Sequence, residues 1–226
     1  MPDISKINNV EVGNISKLDS ITFADGQKVN NQDVSLITEA FTLISTPLDI
    51  TVSDTAVCEV DITSGLDSTY DEFQVHFINL HPETDSVNLE FQVNAHDGSS
   101  QLTGFDESIV STYVDVYHAE AGSSSGSNDY NGARDQVGTG YQQLIYEVGN
   151  DVDQSCSGVF KLYAPSSTTY VKHFLTEVNG TYKGDYTMNA KTSGYISTAN
   201  AITQIRFRFS SGDIDAGIIK LYGIVK

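Results

Sequence analysis

The groups in this 226-residue chain equipped for chemistry are thirty carboxylates, five histidines and two cysteines. Adjacent acids stand at Asp71-Glu72 and Asp106-Glu107, and a glycosidase needs two carboxyls held across one scissile linkage. Neighbouring residues of a strand point to opposite faces, so neither pair converges on one bond by itself. The histidines, His76, His81, His96, His118 and His173, lack the spacing that sets two metal ligands on one face of a strand or helix. Cys58 and Cys156 have no readable base nearby and read as two partly buried thiols, which pair only if the fold aligns their strands. Gly138-Thr139-Gly140 lacks the third glycine of a nucleotide loop, and Gly122-Ser-Ser-Ser-Gly126 has the wrong length for a nucleophile elbow. Calcium is the better inorganic fit. Glu147, Asn150, Asp151 and Asp153 form one oxygen-rich segment and Asp67, Asp71 and Glu72 another, though neither follows the EF-hand order. No catalytic constellation emerges, and the chain reads as non-enzymatic.

Charge narrows the partners. The net charge is −18, and it is unevenly spread. Residues 1–40 carry −3, residues 41–171 carry −18 with only Arg134 and Lys161 as bases, and residues 172–226 carry +3. An acidic surface excludes a phosphate backbone as partner, because affinity there comes from Lys and Arg displacing counterions. It favours solubility and contact with basic surfaces or cations. No apolar run approaches the roughly 20 residues that span a bilayer, so no membrane insertion is expected. The start, Met-Pro-Asp-Ile-Ser-Lys, has neither the basic residues nor the apolar stretch of a secretory signal, which implies assembly in a cytoplasm.

The elements that would position any site are strands. Twelve Tyr and ten Phe, with no Trp, suit sheets with half-buried faces. Strand patterns fall at Leu48–Val52, Ala56–Ile62, Phe73–Leu80, Val87–Asn94, Val110–His118, Gln142–Val148, Val159–Tyr163 and Tyr170–Val178. Two more follow around a Ser-Gly-Asp turn. In the first, Ile205, Phe207 and Phe209 face one way and Arg206 and Arg208 the other; in the second, Ile219, Leu221 and Gly223 oppose Ile218, Lys220, Tyr222 and Ile224. Roughly ten strands without a convincing amphipathic helix predict an all-β, jelly-roll-like two-sheet sandwich over residues 41–226. Val34 to Ile44 fits either a short helix or a strand. The Gly- and Ser-rich stretch from Glu120 to Gly140 reads as a mobile recognition loop, with Tyr130, Arg134 and Tyr141 suited to make contacts.

Residues 1–40 read as a separate extended arm. An eleven-residue repeat places Ile4 over Ile15, Ile7 over Leu18, Val10 over Ile21 and Val12 over Phe23, and Ser5-Lys6 recurs as Ser16-Lys17. Each unit reads as a short strand, a polar turn and a second short strand. Two units are too few for a repeat architecture to stand alone, so these eight apolar side chains are expected to dock on a partner.

The Ile-Ser-Lys repeats and the closing run Phe209-Ser-Ser-Gly-Asp-Ile214, Gly217 and Leu221-Tyr-Gly-Ile224 resemble the N-terminal repeats and closing jelly-roll hairpin of tailed-bacteriophage virion proteins. The resemblance covers residues 3–24 and 202–224. It implies a virion structural protein, a capsid decoration or a fibre or tail appendage, held to capsid or tail proteins by its arm and often a homotrimer. The competing reading is a carbohydrate-binding module that recognises a host surface glycan, with Tyr130, Tyr141, Tyr182, Tyr186 and Tyr195 available for stacking.

Overall fold

The computed structural model describes residues 6–7, 10–11, 28–29, 32–33, 41–44, 48–50, 57–122 and 127–224. The chain divides into two units, Met1–Ala40 and Phe41–Lys226. In the first unit, β1 (Lys6–Ile7) pairs with β2 (Val10–Glu11) and β3 (Lys28–Val29) with β4 (Gln32–Asp33), both antiparallel. The register sets Ile7 opposite Val10, so the two short strands read in the first repeat pair with each other. Ile4, Val12, Ile15, Leu18, Ile21 and Phe23 lie outside the described residues.

Among the described residues, the second unit is all β apart from one 3-10 turn, Gly132–Arg134. Short strands β5 (Phe41–Leu43), β6 (Leu48–Ile50) and β7 (Glu59–Ile62) precede the long β8 (Glu72–Pro82), β9 (Val87–His96) and β10 (Ile109–Ala119). Then come β11 (Ser127–Tyr130), β12 (Val137–Gly138), β13 (Gln142–Val148), β14 (Cys156–Tyr163), β15 (Lys172–Tyr182), β16 (Tyr186–Ile196), β17 (Ala201–Phe209) and β18 (Ile214–Ile224). Every pairing is antiparallel, and the sheet curls into two layers. The larger layer runs β18-β8-β14-β15-β16-β10, with β5 and β6 on β18 and with β11 and β12 on β10; the smaller runs β13-β9-β17-β7. Along β13 and β15 one pair, Val148 opposite Tyr182, joins them, and Val57, just ahead of β7, bridges Ile214 of β18.

The chain changes layer repeatedly: β8 to β9, β9 to β10, β13 to β14, β16 to β17 and β17 to β18 all cross, whereas β14, β15 and β16 follow one another within the larger layer. The last crossing corrects the expected hairpin. β17 and β18 do not pair; β17 lies between β9 and β7, and β18 between β8 and the short β5 and β6. The reason is that both strands bring one apolar stripe to the same core from opposite sides. Ile205, Phe207 and Phe209 are buried from one layer, and Ile219 and Leu221 from the other.

Five phenylalanines hold the layers together. Phe77, Phe160 and Phe174 come from the larger layer, and Phe91 and Phe207 from the smaller. Ring centroids lie 4.7 Å apart for Phe91 and Phe160, 4.9 Å for Phe77 and Phe207, and 5.0 Å for Phe91 and Phe174. All three contacts have the edge-on geometry that the ring quadrupole favours. Each buried ring contributes about 1.5–3 kcal/mol by leaving water.

Two sequence expectations shift. The strand β16 has no counterpart among the predicted strands, because its central inward residues Ala190, Thr192 and Gly194 are small or polar and mimic no apolar stripe. The Glu120–Gly140 stretch is not wholly irregular. β11 and β12 pair along the free edge of β10, Tyr130 opposite Val114 and Val137 opposite Val110, and so satisfy backbone groups that an edge strand would expose. Of the segment from Val34 to Ile44, the described part Phe41–Leu43 is strand.

Candidate functional site: a tyrosine pocket between the layers

Inward alternation along β10 carries Ile109, Ser111, Tyr113 and Asp115 into the interior, and Tyr117 follows them where the layers part. Opposite Tyr117 stands Met188, and Tyr186 pairs with both Ala119 and Tyr182. From the smaller layer, β13 contributes Tyr146. Its pairing with β9 shifts register twice, between Gln143 and Ile145 and between Ile145 and Val148, and Glu147 has φ +48. An extra residue of this kind bends a strand and re-aims its side chains; Leu144 and Ile145 are consequently both buried. Tyr117, Tyr146, Tyr182, Tyr186 and Met188 line a cavity of 290 Å³.

The hydroxyl groups are tied to acids. Tyr182 donates to Glu147, and that bond, followed by burial, pushes its pKa up to about 12. Burial raises Tyr146 further, and its hydroxyl lies against the Asp115 carboxylate. For Glu147, burial works upward, but the bonds from Tyr182 and Lys183 outweigh it and lower the pKa. Lys183 Nζ is 3.3 Å from Glu147 Oε2 and 5.9 Å from the Tyr182 ring centroid. The Arg134 guanidinium lies 3.5 Å from the Tyr146 centroid. Beneath these groups, Asp115 is 3% exposed and its Oδ2 completes no hydrogen bond, nor does the hydroxyl of the fully buried Tyr113.

The three loop residues suited to make contacts take separate places. Tyr130 is exposed and its hydroxyl bonds to Asp135. Arg134 is directed inward, with Nη1 2.7 Å from Gln143 Oε1. Tyr141 lies under the guanidinium of Arg208 at 3.6 Å. It belongs to a lid over the outer face of the smaller layer, where Gln92 Nε2 reaches the carbonyls of Glu107, Thr139 and Gly140, and Arg206 covers Phe105 at 4.1 Å. Tyr195 sits elsewhere, against His173. Of the tyrosines singled out in the sequence, Tyr182 and Tyr186 reach the pocket. Tyr117 and Tyr146 were missed, although Tyr117 continues the Tyr113, Asp115 alternation.

The proposed calcium ligands do not converge. Asn150 Nδ2 donates to the Glu83 carbonyl, Glu147 is engaged as above, and Asp67 accepts from the Thr69 amide. Among the described residues, no three acidic, histidine or cysteine side chains come together as a metal site. Both cysteines are free; Cys156 is buried, whereas Cys58 is exposed rather than partly buried. No protein-family model, curated protein or solved structure matches this chain.

Proposed function

We propose that the chain is a non-enzymatic structural protein of a tailed-phage virion, a capsid decoration or a fibre or tail appendage subunit anchored by its N-terminal arm. The observation that carries this reading is the first unit, Met1–Ala40, in which the apolar repeat begins as a two-stranded pairing, Ile7 opposite Val10. Units of about 40 residues rarely bury enough surface to fold alone, and eight apolar repeat positions call for a partner. The resemblance of residues 3–24 and 202–224 to phage virion proteins names capsid or tail proteins as that partner. The larger layer supports association between copies, as in a trimer, since its outer face leaves Val114, Val116 and Leu175 exposed.

Cosedimentation of the full-length protein with undecorated capsids and with isolated tails tests this reading. Binding to one assembly that is lost on replacing Ile7 and Val10 by Asp supports the arm as anchor. Unchanged binding of that variant, or binding to neither assembly, overturns it. The competing reading, recognition of a host surface glycan, is addressed directly by a glycan array.

A further inference from the structure

The four pocket rings form walls rather than a platform. Tyr146 meets Tyr182 at 77° with centroids 5.8 Å apart; Tyr182 meets Tyr186 at 89° and 5.8 Å; Tyr117 meets Tyr186 at 72° and 6.0 Å. A sugar ring stacks on a flat aromatic surface, whereas successive near-perpendicular rings enclose a compact, rounded group. Aromatic faces attract cations through the ring quadrupole, most strongly where water is excluded. Two of these rings already do so within the chain, Tyr146 with Arg134 and Tyr182 with Lys183. Behind the rings, Asp115 is a buried carboxylate with one oxygen lacking a hydrogen-bond donor.

We infer that the pocket bounded by Tyr117, Tyr146, Tyr182 and Tyr186 binds a quaternary ammonium head group, caged by the ring faces with Asp115 as the buried counter-charge. A primary ammonium would bring three N–H donors to a pocket walled by rings, whereas a trimethylammonium group has none to satisfy. The cavity, at 290 Å³, lies near the lower end of ligand pockets, about 300–1,000 Å³, and suits a head group better than an oligosaccharide. This site needs nothing from the arm and stands whether or not the chain belongs to a virion.

The chain has twelve tyrosines and no tryptophan, so ring-labelled tyrosine followed by NMR reads the pocket directly in the full-length protein. Choline is titrated against sodium chloride at equal ionic strength and against 3,3-dimethylbutanol, its neutral isostere. Saturable shifts at the four pocket tyrosines, with choline bound about ten-fold more tightly than the isostere, support the inference. Tyr186→Ala should weaken choline binding by about ten-fold while Tyr186→Phe retains it, and Asp115→Asn should erode the preference for choline over the isostere. Should Tyr186→Ala fail to fold, the Phe and Asn variants carry the test. Absence of saturable binding, equal affinity for the isostere, or an unchanged preference in Asp115→Asn overturns the inference. Phosphocholine serves as a third ligand. Tighter binding than choline points to a surface-linked head group, and weaker binding to free choline.

Discussion

His81 Nδ1 stands 2.6 Å from Asp215 Oδ1, while Nε2 of the same ring lies 3.2 Å from the Asp151 carbonyl oxygen. One imidazole therefore joins β8, β18 and the turn after β13. The contact depends on a bulge. β18 slips register against β8 on both sides of Ala216, and Gly217 takes φ +123, where an added Cβ would lie 2.7 Å from the Asn79 carbonyl. Only glycine tolerates that combination. His81→Leu is expected to lower stability by about 1–2 kcal/mol, and Asp215→Leu to do the same. The double variant should lose less than the sum, which a double-mutant cycle by urea unfolding would show.

The edge strand β7 is tied in by charge. Arg206 Nε and Nη2 each reach Asp61 at 2.7 Å, and Nη1 reaches Glu59 at 2.6 Å. Lysine cannot reproduce a bidentate fork, so Arg206→Lys should cost about 1 kcal/mol and loosen β7 first. Faster amide exchange at Glu59–Ile62, with β9 and β13 little changed, is the expected signature.

Glu90 gives a pH dependence of defined sign. Burial raises its pKa, and Arg208, with Nη2 3.5 Å away, only partly offsets this. A carboxyl with a raised folded pKa holds its proton more tightly in the folded state. Its contribution is fully present below the unfolded value and is lost as pH rises through the folded value. Glu90→Gln should remove this loss. The midpoint difference between variant and parent should therefore grow in the variant's favour across the interval just above the ordinary glutamate range, as followed by thermal melts at stepped pH.

The two thiols should behave differently. Burial pushes Cys156 up to about 12, while a hydrogen bond with Asp213, followed by its charge, raises the exposed Cys58. Thiolate is the reactive form. Iodoacetamide near neutral pH should modify Cys58 alone and slowly, faster as pH rises, with Cys156 reacting only after denaturation. Peptide mass spectrometry distinguishes the two sites.

The contrast between β15 and β16 shows what the sequence can carry. In β15, Phe174 and Val178 alternate with exposed His173, Leu175 and Glu177, and the strand is legible. In β16 the same inward role falls to Ala190, Thr192 and Gly194, which carry no hydrophobic signal. Partnership was harder to read than strand character. The alternation of Phe207 and Leu221 was plain, but nothing local says that their strands join different layers. The pocket was half legible for the same reason. Tyr182 and Tyr186 flank one turn, whereas Tyr117 and Tyr146 arrive from β10 and β13 through the topology.

The crossing from β17 to β18 bears on how the protein is made. Until residues 201–224 have been synthesised, β9 lacks its neighbour β17 and β8 lacks β18. Pairings this distant in sequence are slow to close, and a ribosome delivers the chain from its N-terminus. A chain without these two strands leaves one side of β9 unpaired in the smaller layer and one side of β8 unpaired in the larger. Closure of the core in both layers thus waits on pairings between strands distant in sequence.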